Sequence, residues 1–179
     1  MKHKVTQKWL KEKKACRDGF NWWVDNCEGL SNKEQLLRLV HHRADWANWL
    51  IVRMMNRKQK ISYAIFAAEQ VIDIYERKNP NDNRPREAIN AAKAVLKRDN
   101  VKNRKTADAA ADAADDAAAD TADDAAADAA YAAAAAAAYA AYAAYTDAAT
   151  YAADAYTADA RTEMQITIIN HGIKILNLR

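Results

Sequence analysis

Residues 107–160 are written in four letters, and this more than anything else limits what the chain can fold into. Of these 54 residues, 33 are Ala, 11 Asp, 6 Tyr and 4 Thr, with no Gly, Pro, Lys or Arg. Alanine has the highest helix propensity and loses no side-chain entropy on ordering, so the tract reads as helix almost throughout. One unbroken helix of this length would run about 80 Å. A compact domain of this size has a radius of gyration near 16 Å, which argues against a single rod. The weak helix-start signals at Thr121-Ala122-Asp123-Asp124 and Thr146-Asp147 mark where it should break. Ala helices have little side chain to bury. They pack by bringing backbones close, with Tyr filling the remaining space; Tyr131, Tyr142, Tyr145 and Tyr156 fall on one side of an ideal helix, Tyr139 nearby and Tyr151 opposite.

The rest of the chain carries ordinary amphipathic patterns. Lys8–Asp25 reads as a first helix, with Trp9, Cys16, Phe20 and Trp23 on one stripe. Ser31 and Glu34 form a capping-box signature ahead of Leu36, Leu37, Leu39 and Val40. Around His41–Ala44 the pattern is interrupted, and Asp45 is placed to cap a further helix carrying Trp46, Trp49, Leu50 and Val52. Lys60–Glu76 reads as the next helix, and Asn79–Asn83 is the clearest turn. Pro85 suits the first position of a helix that fades at Asp99-Asn100. After Arg161 a short helix should close near Gly172; the alternative, a strand over 165–170, has no obvious partner strand. With three Gly and two Pro among 179 residues, a turn-rich β fold is unlikely on composition. The expectation is one all-α domain of seven to nine helices spanning 1–179, with a basic amphipathic part (1–106), the Ala/Asp/Tyr part (107–160), and a short C-terminal helix and tail (161–179).

Charge divides along the same boundaries. Residues 1–106 carry 24 Lys and Arg against 12 Asp and Glu, while 107–160 carry 11 acids and no base, so a formal charge of +3 hides two opposed halves. That division makes packing of one half on the other plausible, within a monomer or across a homodimer. Asp108, Asp112, Asp116, Asp120, Asp124 and Asp128 step by four, with Asp115 and Asp123 beside them. Residues four apart share a helix face, and each like-charge pair costs roughly 0.2–0.5 kcal/mol. The ladder is read either as a solvated face, or one neutralised by the chain's own basic helices, or as an acidic strip offered to a basic partner surface such as a nuclease active site, where carboxylates replace phosphates.

A second candidate is an aromatic cluster. Trp22, Trp23, Trp46 and Trp49 read first as core; the alternative is a ligand pocket with His41, His42, Arg43 and Asp45 at its mouth. His41 and Asp45 are four apart and could pair, but the chain's only serines are Ser31 and Ser62, which leaves such a dyad without an evident nucleophile. Nor does any third ligand stand at a recognised metal spacing. No enzyme, metal or cofactor is expected. The basic faces match no known nucleic-acid module, so direct nucleic-acid binding is not expected either. The Thr spacings of 15, 25, 4, 7 and 5 lack the eleven-residue repeat that ice-binding Ala helices share. Ala129–Tyr145 is free of charge but short and Ala-rich, which disfavours a membrane span. No apolar run follows the basic start, and Cys16 and Cys27 read as free thiols in a reducing cytoplasm.

Several short stretches carry a resemblance. They are Ala15-Cys16-Arg17-Asp18-Gly19 with Trp22-Trp23; Leu30-Ser31 with Glu34; Arg43-Ala44-Asp45-Trp46 with Trp49-Leu50; and Asn83–Ile89 with Ala91-Ala92, followed by the Ala/Tyr/Asp tract. In this order they resemble the "putative immunity protein" family of phages, prophages and bacterial toxin neighbourhoods, over most of the chain. Members of that family often intersperse Arg in the Ala tract; this tract has none. The resemblance implies a helical, non-enzymatic protein that neutralises something, without identifying its target. The leading expectation is a cytoplasmic binding protein that inhibits a toxin or host-defence enzyme by direct contact, with the Asp108–Asp128 face as the contact surface. The further readings are a sponge for a nucleotide signal at the Trp46–Trp49 pocket, and a structural helical module.

Overall fold

The computed structural model describes residues 4–142, 151, 152, 154, 155 and 158–178. The fold is all-α, as the composition requires. Ten helices stand among the described residues, slightly more than the seven to nine expected: α1 Gln7–Glu12, α2 Arg17–Cys27, α3 Asn32–His42, α4 Ala44–Met54, α5 Arg57–Glu69, α6 Ile72–Lys78, α7 Arg84–Lys97, α8 Val101–Asp120, α9 Asp124–Tyr142 and α10 Ala158–Ile175.

Two of the extra helices come from breaks that the apolar stripes conceal. The stripe expected to run unbroken from Lys8 to Asp25 is interrupted after Glu12. Lys14 adopts φ 56°, its N–H donates to the Lys11 carbonyl, and the Ala15 N–H donates to that of Leu10. This is a Schellman ending, and the chain leaves at a new angle. The helix expected over Lys60–Glu76 starts earlier, at Arg57, and stops at Gln70, where the Val71 N–H reaches back to Ala68 in a tighter turn. Val71 and Ile72 are both buried at that turn. Ser31 and Glu34 form the capping box as read, with the Glu34 N–H donating to Ser31 Oγ at 3.3 Å and Glu34 Oε2 accepting from the Ser31 N–H at 2.8 Å. Asp45 is not a cap. Arg43, extended at φ −148°, separates α3 from α4, and Asp45 sits inside the first turn of α4.

The Ala tract breaks at Thr121–Asp123, as the start signals there imply. Asp123 Oδ1 accepts from the Ala126 N–H at 3.0 Å and opens α9. The second break, at Thr146-Asp147, and the side chains of Tyr142, Tyr145 and Tyr156 fall outside the described residues. Because only three residues join α8 to α9 and the two pack closely, they form a helical hairpin.

α9 is the centre of the molecule. It packs against α5, α6, α7 and α8, and Ala126, Ala129, Ala130, Ala132–Ala137, Tyr139 and Ala140 are all buried. A helix buried all round needs small side chains if four neighbours are to approach it, and Ala supplies them. Toward its C-terminal end the Ala140 carbonyl accepts from Arg57 Nη2 at 2.5 Å. α10 closes the other side of the basic part, against α3, α4 and α5. It does not close at Gly172 but runs through it to Ile175, and residues 165–170 are helical within it rather than a strand.

Candidate functional site

The acidic face is set by the buried face of the same helix. On α8, Ala107, Ala111, Ala114 and Ala118 recur at helical spacing and are buried against α7 and α9. Turning that stripe inward leaves Asp112, Asp115, Asp116 and Asp120 exposed and Asp108 half-buried. The ladder is not one continuous strip, because the hairpin turn at Thr121–Asp123 moves Asp124 and Asp128 onto a second helix, with Asp124 exposed and Asp128 half-buried.

Two rungs are docked on the basic half. Asp120 accepts from Arg84 Nη2 at 2.8 Å, and Asp123 pairs with Lys78 at 2.9 Å. Arg84 also holds Asp82, which accepts in turn from the Tyr75 hydroxyl at 2.7 Å, so the end of α8 is tied to the α6–α7 turn. The Arg84 bonds hold the Asp82 carboxyl well below the usual range, while burial first and Asp82 second push the Tyr75 hydroxyl up to about 12. Asp115 and Asp128 shift in the opposite direction. Burial, then Asp112 and Asp116, raises the Asp115 carboxyl; burial, then Asp154 and Asp124, raises that of Asp128, with Arg161 offsetting part of the shift. Among the described residues, Asp112, Asp115, Asp116 and Asp124 make no ion pair.

The aromatic cluster divides into core and cavity. Trp23 is core: its indole N–H donates to Gln35 Oε1 at 2.9 Å, and the Gln35 amide donates to the Leu30 carbonyl. Trp22 stacks on His42 with ring centroids 4.3 Å apart, and Trp46 meets Trp22 edge-on at 6.3 Å. Beneath them lies a cavity of about 360 Å³ between α1, α2, α3 and α4. Of the residues read as a pocket, Asp45, Trp46 and Trp49 line it, whereas His41, His42 and Arg43 do not. His41 does not hold Asp45. Arg43, two residues away in an extended segment, donates Nε and Nη2 to the carboxylate at 2.9 and 2.7 Å, keeping it below the usual range, and lies over Trp46 at 4.9 Å. Sequence reading missed Lys14, Cys16 and Gly19, which also line the cavity; their place depends on the turn after α1 that the stripe concealed.

Among the described residues no three His, Cys, Asp or Glu side chains stand together as a metal site, and no helix is long and apolar enough to cross a membrane. The family described as Imm-5 like putative immunity protein has a model that matches residues 51–171. The match takes in the acidic face and the central helix α9, and begins after the cavity residues Asp45, Trp46 and Trp49. Comparison with curated proteins and with solved structures gives no match.

Proposed function

Because the chain belongs to the Imm-5 like putative immunity protein family, matched over more than half its length, we propose that it neutralises a toxin or a host-defence enzyme by direct contact, without chemistry of its own, through the exposed carboxylates of α8. One observation carries this reading. Asp112, Asp115 and Asp116 stand exposed on one helix, repel one another, and have no cationic partner among the described residues. A folded chain gains nothing from such a face; a basic partner surface would gain a pre-formed row of negative charge on a rigid helix. Asp124 adds to the same acidic surface from α9, whereas Asp120 and Asp123 are engaged in holding the hairpin.

The test follows from how exposed charges act. They steer association and are screened beyond about 8–10 Å at physiological ionic strength. The partner is identified by cross-linking in source cells, and association is then timed at two salt concentrations. Replacing Asp112, Asp115, Asp116 and Asp124 by Asn should slow association about tenfold at low salt and flatten its salt dependence. Asp123 is left intact because it pairs with Lys78 and caps α9. Equal rates and equal salt slopes for the two proteins would rule out the acidic face as the contact.

A further inference from the structure

The cavity beside Trp49 lies outside the acidic face and has its own electrostatics. At about 360 Å³ it falls at the small end of the range for small-molecule sites, room for one compact ligand. Its walls are aromatic and aliphatic: Trp23, Trp46, Trp49, Leu10 and Leu50. Two charged groups line it, Asp45 and Lys14. Asp45 is answered by Nε and Nη2 of Arg43, and Asp18 also acts on that guanidinium, so the negative charge here is spoken for. Lys14 makes no ion pair among the described residues.

A second cation stands on a wall residue of the cavity. Arg53 lies over the Trp49 ring at 3.9 Å, and Lys13 over Trp9 at 5.8 Å. Lys14 in the wall and Arg53 over Trp49 set two cations at an aromatic-walled cavity, which suits an anion attached to a flat ring. The backbone gives an independent sign. Lys14 occupies the left-handed position of the Schellman turn at φ 56°, where Gly is at ease and a side chain is strained. A residue held there against its preference marks a candidate functional position.

We propose that this cavity binds a nucleoside monophosphate, with the base against Trp49 and the phosphate on the cationic rim led by Lys14. The proposal does not rest on the acidic-face reading, and its residues lie on other helices. The full chain is titrated with AMP, GMP, CMP and UMP, with adenosine and with inorganic phosphate. Trp fluorescence, melting temperature and the alkylation rate of Cys16 are followed. Cys16 is exposed and lines the cavity, while Cys27 is buried and stays silent. At least one monophosphate should quench fluorescence, raise the melting temperature and slow Cys16 alkylation, and adenosine should bind about tenfold more weakly. Lys14→Gly should raise the melting temperature of the free protein yet weaken monophosphate binding about tenfold, a combination that a merely structural residue would not give. The proposal is overturned if no monophosphate acts on fluorescence or Cys16 up to about 1 mM. It is equally overturned if adenosine binds as well as AMP, if inorganic phosphate alone reproduces the effects, or if Lys14→Gly binds as the wild type does.

Discussion

Gly172 shows how one residue can be read correctly as special and wrongly as to why. A Gly near the end of an apolar pattern signals a helix stop, and that is how the sequence reads. In the fold it lies inside α10, and a Cβ built there would stand 2.6 Å from Ile51 Cδ1 and 2.8 Å from Tyr63 Cε2. The Tyr63 ring cannot swing away freely, because its hydroxyl donates to Asn48 at 3.1 Å in a buried site. The missing side chain is therefore what lets α10 come down on α4 and α5. Gly172→Ala gains about 1 kcal/mol of helix propensity but overpacks this contact by roughly 1–3 kcal/mol. Thermal unfolding should show net destabilisation of about 1 kcal/mol; a rise in melting temperature would mean that the contact yields. Local signals such as the Ser31–Glu34 capping box were legible because both partners lie within one turn. The role of Gly172 depends on residues more than a hundred positions away, and no local pattern carries that.

At the scale of the element, α9 and α8 have almost the same composition and opposite places. α8 shows one Ala stripe to the interior and its carboxylates to water; α9 is enclosed over most of its girth, with Asp124 exposed and Asp128, Tyr131 and Ala138 half-buried. The difference was present in the sequence as the charge-free run Ala129–Ala138, since a helix apolar all round is a buried one. Which neighbours enclose it was not legible, because Ala carries no shape by which to choose a partner. Close backbone approach should make α9 intolerant of size. Ala133→Leu adds three carbons at a fully buried position and should cost about 1–3 kcal/mol, by chemical denaturation. Ala119→Leu, on the exposed face of α8, should stay within about 0.5 kcal/mol. Equal costs at the two sites would contradict the central position of α9.

The whole molecule is organised by the division of its charge, +12 over residues 1–106 against −11 over 107–160. Simple complementarity would lay one half on the other. Asp120 on Arg84 and Asp123 on Lys78 do so by ion pairing, and both lie at the α8–α9 turn. The Ala interior of the hairpin also joins the halves, and among the described residues Asp112, Asp115 and Asp116 make no ion pair to offset their mutual repulsion. Asp112 and Asp116 belong to the like-charge pairs 108–112, 112–115, 112–116 and 116–120. At roughly 0.2–0.5 kcal/mol each, replacing both by Asn should stabilise the free protein by about 1–2 kcal/mol at low salt. Salt screens the same repulsion, so the advantage of the double variant should shrink as ionic strength rises. Acid should remove it too. The Asp115 carboxyl is raised in the fold, by its partial burial first and then by Asp112 and Asp116, so folding favours its neutral form more than the unfolded chain does. A raised carboxyl contributes stability below its unfolded pKa and loses it as pH rises through the folded value; the cost of the ladder is therefore absent in acid and complete at neutral pH. Melting temperatures of the two proteins should converge toward pH 3 and separate toward pH 7, the variant lying higher. If the variant is instead less stable at pH 7, the carboxylates are neutralised by the chain's own cations, and the face is not free for a partner.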